Sequence, residues 1–249
     1  MSYDYKVGKK TIFGILSSET KIENCNSFPS NEVEFTFENG IKTFISSIYI
    51  DIVDSTKIFK DYDPEILVRA IRAFINQLII ILKDSDDIRD VGIRGDCVYA
   101  VYETETIGSL YEVFEKACVI NTFIIMFNKI SKRHGGIKLS AGIGLGCAKD
   151  LIIKTGKSNT GTNEYVYIGS AVYDASRLAA EASRNGKRNI MMDNTFYINL
   201  AKHYVGNEIN INENDFVCCK SNKINDVAYE NDYKNTAFYN WINQGMSGE

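Results

Sequence analysis

Residues 48–56, Ile-Tyr-Ile-Asp-Ile-Val-Asp-Ser-Thr, constrain the fold more than any other stretch of the chain. Ile48, Ile50 and Ile52 alternate with Tyr49, Asp51 and Val53, the period of a strand with one apolar face. The run then stops at small polar residues that feed a helix. Asp51 therefore leaves the strand on the face opposite the isoleucines. A carboxylate that deep in an apolar strand is unfavourable unless a cation, a donor or a proton transfer compensates it. A second stretch, Gly92-Ile93-Arg94-Gly95-Asp96-Cys97-Val98-Tyr99-Ala100, sets two strand-like runs about a glycine turn that carries another acid. Two acids at strand ends, with a small-residue loop beside one of them, point to a site for metal and phosphate.

Composition narrows the class of partner. Hydrophobic residues make up 45% of the 249 and charged residues 24%, ordinary for one large domain or a domain with appendages. A net charge of −4 and a pI near 5.4 argue against a general nucleic-acid binder, which needs a basic surface. A local basic pocket for one triphosphate is compatible with that balance. The six cysteines contain no C-x-x-C pair, and only His134 and His203 could support them in a zinc site. The pattern reads as that of a reducing compartment. The start, MSYDYKVGKK, has no apolar h-region, and no apolar run reaches bilayer length. A cytoplasmic protein without membrane insertion is expected.

Along the chain, Val33 to Phe37 alternates like a short strand and Asn39-Gly40 reads as a tight hairpin turn, so residues 1–43 are expected to form a small appended hairpin. Residues 44–53 are the first core strand. Asp63-Pro64-Glu65 opens a helix with an N-cap, a proline at the first position and an acid in the first turn. Residues 88–93 and 97–102 form a hairpin whose tip carries Arg94, Gly95 and Asp96. A second long helix covers 109–132. Residues 137–147 alternate with Gly142, Gly144 and Gly146, the mark of a central strand approached closely by a neighbour. Residues 150–153 resemble another strand, 155–164 a polar loop with the composition of a mobile segment, and 165–168 a strand. A helix at 170–183, a strand at 187–192, a helix at 195–204 and an irregular hairpin over 216–241 follow, with 242–249 as a tail. The order β-α-β-β-α-β is that of an α+β, ferredoxin-like core with a C-terminal extension, in which the first strand lies beside the third. Asp51 and Asp96 are thereby expected to meet.

Two of these stretches, Ile50 to Thr56 and Gly95 to Ala100, resemble the two metal-binding signatures of class III nucleotidyl cyclases. A third, Gly169-Ser170-Ala171-Val172-Tyr173-Asp174-Ala175-Ser176-Arg177, is similar to the family's glycine-to-arginine helix. Order and spacing match over about 44–241. The resemblance implies a two-fold homodimer with active sites at its interface. Asp51, Asp96 and the backbone carbonyl of Ile52 would hold two divalent cations, Mn2+ or Mg2+. The backbone amides of Val53 to Thr56, with Ser55 and Thr56 among them, would cradle the triphosphate, helped by Lys220 or Lys223. Arg177 would stabilise charge on the transferring phosphate, a role suited to a planar multi-donor cation. Tyr173 stands where the family has the asparagine that orients the ribose. Asp54 stands where the family often has glycine and is given no role. The bland alternatives are a turn-capping Asp51, a plain hairpin Asp96 and a surface Arg177.

The base-reading positions depart from the purine cyclases. Gly92 stands where those carry lysine or glutamate, and Val166 where they carry aspartate, cysteine or a similar polar group. Tyr49 and Arg94 are large enough to fill the remade pocket, unless Tyr49 is core and Arg94 merely solvated. This pattern resembles the uridylate cyclases of the bacterial Pycsar antiphage systems, which implies conversion of UTP to cyclic UMP as an antiviral signal. An adenylate cyclase making cyclic AMP and an inactive cyclase-like dimerisation module remain as alternatives.

Overall fold

The structure is a computed structural model that describes residues 3–29, 35–156, 163–204 and 212–246. In chain order its first elements are α1 (Tyr5–Ser17), β1 (Lys21–Asn24), β2 (Asn39–Ile52), α2 (Ser55–Asp61), α3 (Pro64–Lys83), β3 (Ile88–Arg94), β4 (Cys97–Glu103) and α4 (Ile107–Arg133). Then follow β5 (Ala141–Gly156), β6 (Asn163–Ile168), α5 (Ser170–Ala179), β7 (Ile190–Asp193), α6 (Asn194–Tyr204), β8 (Val217–Ser221), β9 (Asp226–Asn231) and α7 (Thr236–Asn243). They group into two compact units, Met1–Thr43 with Leu151–Ile168, and Phe44–Asp150 with Gly169–Glu249.

In the smaller unit the turn expected at Asn39-Gly40 is not formed. Asn39 and Gly40 open β2 and pair in parallel with Lys21 and Ile22 of β1, so a strong turn dipeptide serves as strand. The reversal lies just before it, where Asn39 Oδ1 accepts from the Thr36 amide at 2.7 Å. Phe35 and Phe37 lie in this bend, and Val33 and Glu34 fall outside the described residues. Helix α1, absent from the expectation, starts at Asp4, whose carboxylate accepts from the amides of Lys6 and Val7. At the other end of this unit β6 pairs antiparallel with residues 151–156 of β5, so positions 155–156 and 163–164 of the expected polar loop are strand, and 157–162 lie outside the described residues.

The larger unit carries the strand order β3-β4-β2-β5-β7-β9-β8. Its first four strands are the βαββαβ core in the expected arrangement, with β2 beside β4. Ile48, Ile50 and Ile52 are buried against Phe74, Leu78 and Leu82 of α3 and Phe114 and Phe123 of α4, so the alternation in β2 does face its isoleucines to one core. Tyr49 and Asp51 leave on the other face, which α5 covers in part. The closing hairpin of β8 and β9 is followed by α7, capped by Asn235 and holding buried Ile242. The boundary expected after residue 241 thus falls inside a helix.

The glycines of β5 show how α5 reaches the sheet. A Cβ on Gly142, Gly144 or Gly146 would lie 2.2, 2.0 or 2.2 Å from the carbonyl oxygens of Ala179, Ala175 and Ala171. Alanines at every fourth position of α5 therefore rest directly on strand backbone. Asp150 fixes the start of the helix, accepting from the amides of Ser170 at 3.0 Å and Ala171 at 3.1 Å. Gly169 permits this, because a Cβ there would overlap the same carboxylate. Gly144→Ala should push α5 off the strand and cost about 1–3 kcal/mol, read as a lower urea midpoint. An unchanged midpoint would show that the helix does not depend on this contact.

Candidate active site

The two acids singled out in the sequence come together. Asp51 is paired across the strands with Cys97, the neighbour of Asp96. Arg94 is opposite Cys97 on the other side, so Gly95 and Asp96 form a two-residue turn, with Gly95 at φ +63° in the region glycine enters freely. Asp51 and Asp96 line one open cavity of about 610 Å³ with Ile52, Asp54, Ser55, Thr56, Lys57, Lys60, Asp61 and Arg184. A second cleft, of about 620 Å³ beside α3 and α4, is lined by residues such as Ala70, Phe123, Met126 and Phe127 and has no carboxylate to hold a cation.

Arg184 was not foreseen. Its Nη2 donates to Asp51 Oδ2 at 2.6 Å and to the Ile52 carbonyl at 3.2 Å. One cationic nitrogen thus marks the point on which a carboxylate and a backbone carbonyl converge. Those two oxygens and the Asp96 carboxylate are hard donors of the kind Mg2+ and Mn2+ take. Charge agrees with this. Burial raises the Asp51 carboxyl above the usual carboxylate range; Arg184 opposes that, Asp96 adds to it and Lys223 opposes it again. The net direction stays upward with a guanidinium in contact, because burial outweighs it. The residues present fit a divalent cation, although among the described residues no three His, Cys, Asp or Glu side chains are placed to hold one together. The third oxygen of that set belongs to the main chain, at Ile52.

No protein-family model matches the chain. A uridylate cyclase from Treponema porcinum is 36% identical over 246 residues, 99% of this chain and 83% of that protein. A uridylate cyclase from Gulbenkiania mobilis is 26% identical over 251 residues, covering 98% and 97%. Among solved structures, the guanylyl cyclase Cya2 superposes with a TM-score of 0.62 at 14% identity, covering 79% of this chain and 95% of its own. The adenylyl cyclase CyaB from P. aeruginosa gives 0.60 at 17%, covering 77% and 94%.

The chain belongs to the class III nucleotidyl cyclases. The solved structures establish the shared α+β fold, and the relatives establish a nucleotidyl cyclase. No helix among the described residues is long and apolar enough to cross a membrane.

Against the family pattern, several expected residues sit elsewhere. The Val53 amide donates to Ser140 O at 2.8 Å, so it is not open to a phosphate oxygen. Ser55 and Thr56 do line the cavity. Asp54, the family's glycine position, holds a left-handed backbone at φ 55°, which explains glycine there, and it lines the same cavity. Lys57 and Lys60 of α2, which no sequence motif singled out, bring positive charge to that cavity. Lys220 lies on β8 opposite Val227; of the two C-terminal lysines it is Lys223 whose charge reaches Asp51.

Of the positions expected at the base, the structure bears most directly on Tyr49. Tyr49 is only 6% exposed and packs with Ala175 and Ala179 under α5, its ring stacked on Tyr99 at 5.1 Å. It is core and cannot cover a nucleotide. A Cβ at Gly92 would lie 2.6–2.7 Å from the ring and hydroxyl of Tyr99, so that ring fills the space a reader side chain would need. Arg94 holds its guanidinium 5.5 Å over the same ring. Val166 lies in the smaller unit, opposite Ile153. Tyr173 and Arg177 are exposed on α5, the guanidinium 5.2 Å over the phenol ring, and neither lines the cavity of Asp51.

Between them on α5, Asp174 is half-buried and pushed up to about 6, first by burial and then by Asp226 and Asp150. A folded-state value above the ordinary one means that its contribution to stability is complete only at acid pH and is lost as pH rises through about 6. Asp174→Asn, permanently neutral, should therefore raise the denaturation midpoint over wild type at pH 8, with the gain shrinking toward pH 4. A gain that does not vary with pH would remove the carboxyl as its cause.

Proposed function

We propose that this cyclase converts UTP to 3′,5′-cyclic UMP and pyrophosphate, as a second messenger in antiviral defence. The 3′-oxygen of the nucleotide attacks the α-phosphorus as its proton passes to water, and the bond from that phosphorus to the oxygen bridging it to the β-phosphorus breaks to release pyrophosphate. Asp51, the Ile52 carbonyl and Asp96 would hold the divalent cations, which when bound supply polarisation of the hydroxyl and neutralisation of the triphosphate. Ser55 and Thr56 offer hydroxyl donors to phosphate oxygens, and Lys57 and Lys60 offset their charge. Arg177 of a second copy stabilises the charge that develops on the transferring phosphate, with Tyr173 beside it toward the ribose.

The observation that carries the pyrimidine reading is the Tyr99 ring. The strand register sets Asp51, Cys97, Arg94, Tyr99, Gly92 and Asp90 on one face of the sheet, running outward from the metal acid. Tyr99 occupies the volume above Gly92, its hydroxyl donates to Asp90 Oδ2 at 3.3 Å, and Arg94 covers it. A base beside Asp51 then meets a shallow floor with a cation at its edge. A smaller ring with carbonyl acceptors suits it better than a purine, and a site built on such contacts rejects analogues that leave buried groups unpaired. The names of the two relatives support the same choice.

With UTP, CTP, ATP and GTP at equal concentration and Mn2+ present, cyclic UMP should be the main product by mass spectrometry, and Tyr99→Ala should lose part of that selectivity. Cyclic AMP as the main product would sink the uridylate assignment, and no product from any triphosphate would favour an inactive dimerisation module.

Sites shared between two copies should show complementation. Asp51→Ala and Arg177→Ala proteins should each lose activity, on the order of 10²–10³ for a lost transition-state contact. Mixed and allowed to exchange subunits, they should regain part of it. Proven exchange with no recovery would overturn the shared site.

A further inference from the structure

Arg184 is held more specifically than any other cation lining the cavity. Nη2 donates to Asp51 Oδ2 and to Ile52 O, at 2.6 and 3.2 Å. Nη1 donates to the carbonyl oxygens of Ala179 and Ala182, at 3.0 and 3.1 Å. Four acceptors therefore orient one planar guanidinium, two at the end of β2 and two where α5 runs out. Cations are favoured at that end of a helix, where carbonyls lack helical partners.

The backbone is shaped for this contact. Ser183 and Asn185, on either side of Arg184, both have left-handed backbones, at φ 60° and 52°, and Gly186 follows at 80°. Non-glycine residues hold that region only where their surroundings fix them, and they gather at functional sites. Here the turn carries the guanidinium into the same cavity that Asp51, Asp96, Lys57 and Lys60 line.

We propose that Arg184 is a built-in competitor of the divalent cation, holding Asp51 and the Ile52 carbonyl until the metal displaces it. The proposal rests on the reading of those two oxygens as metal ligands. Nη2 already donates a hydrogen bond to each, and a divalent ion bound to both would need the space Nη2 fills. Two cations cannot share it. The anchor at Ala179 and Ala182 is independent of either metal ligand, so a displaced Nη2 leaves the guanidinium tethered at the cavity wall. Arg184 thereby keeps Asp51 neutralised without metal and lowers the site's affinity for a free cation. Nucleotide-borne metal, whose triphosphate attracts the freed guanidinium, would displace it more readily than metal alone.

The test is a Mn2+ titration of the full chain without nucleotide, following free Mn2+ by electron paramagnetic resonance. The proteins are wild type, Arg184→Gln, Arg184→Lys and Asp51→Asn, each first checked for a cooperative thermal transition. Hydrogen bonds to a charged group contribute enough that removing the competitor should tighten Mn2+ binding on the order of tenfold in Arg184→Gln. Arg184→Lys, which keeps charge with a single donor nitrogen, should fall between it and wild type, and serves alone if the glutamine variant does not fold. The melting temperature of Arg184→Gln should also rise more on adding Mn2+ than that of wild type. Folded Arg184 variants that bind Mn2+ no more tightly than wild type would overturn the competitor role and leave Arg184 a structural tie. Binding unchanged in Asp51→Asn would instead overturn the metal assignment beneath it, and the proposal with it.

Discussion

The contact on which the rest of the larger unit depends is that of α5 with β5, alanine against glycine. With no side chain on the strand and only methyl groups on the helix, main chain approaches main chain, and α5 has one height and one direction available to it. Asp150 fixes its first turn through the amides of Ser170 and Ala171. Everything chemical on this face is then set by the helix. Tyr49 is enclosed beneath it with Ala175 and Ala179. Its outer side presents Tyr173 and Arg177. Where it ends, the carbonyls of Ala179 and Ala182 meet the guanidinium that also reaches Asp51.

Charge gives the second constraint. Asp51, Asp54, Asp61 and Asp96 share the cavity with Lys57, Lys60 and Arg184, so its walls are close to balanced before any ligand enters. A triphosphate adds several negative charges to that balance, which side chains alone do not meet. In the proposed reading, the oxygens at the end of β2 and the tip of the β3–β4 hairpin would answer that need by holding divalent cations that come with the nucleotide. The upward shift of Asp51, which persists beside Arg184, comes first from burial and then from the neighbouring Asp96.

What the sequence made legible was whatever a period or a short turn determines. Alternation in 48–53 gave the two faces of β2, and the order of elements gave the βαββαβ core. The two-residue turn at Gly95 and Asp96 then brought the acids together with no knowledge of distant contacts. The glycines of β5 announced a close neighbour. What stayed hidden depends on residues far apart in the chain. Arg184 and Asp51 are separated by 133 positions, and an arginine in a turn carries no sign of its partner. The Val53 amide looked open to phosphate until the Ser140 carbonyl took it. Asn39-Gly40 has the chemistry of a hairpin turn, but parallel pairing with β1 outweighs local preference. Tyr49 shares a face with Asp51, as its spacing required, yet only the seating of α5 decides that it is enclosed.

That same seating bears on why one chain is not sufficient for the proposed chemistry. Ala175 and Ala179 of α5 are buried on the strand, whereas Tyr173 and Arg177 are exposed. The helix cannot turn Arg177 inward without lifting its alanines from Gly142, Gly144 and Gly146, because the contact is between backbones and has no slack. The cation that reaches Asp51 from this region is instead Arg184, from the turn beyond the helix. In the proposed chemistry, an arginine fixed outward on this helix would act on a phosphate held by another molecule's Asp51 and Asp96. The packing of small residues that builds α5 onto the sheet is thus also the physical reason to look for the active site between two copies of the chain.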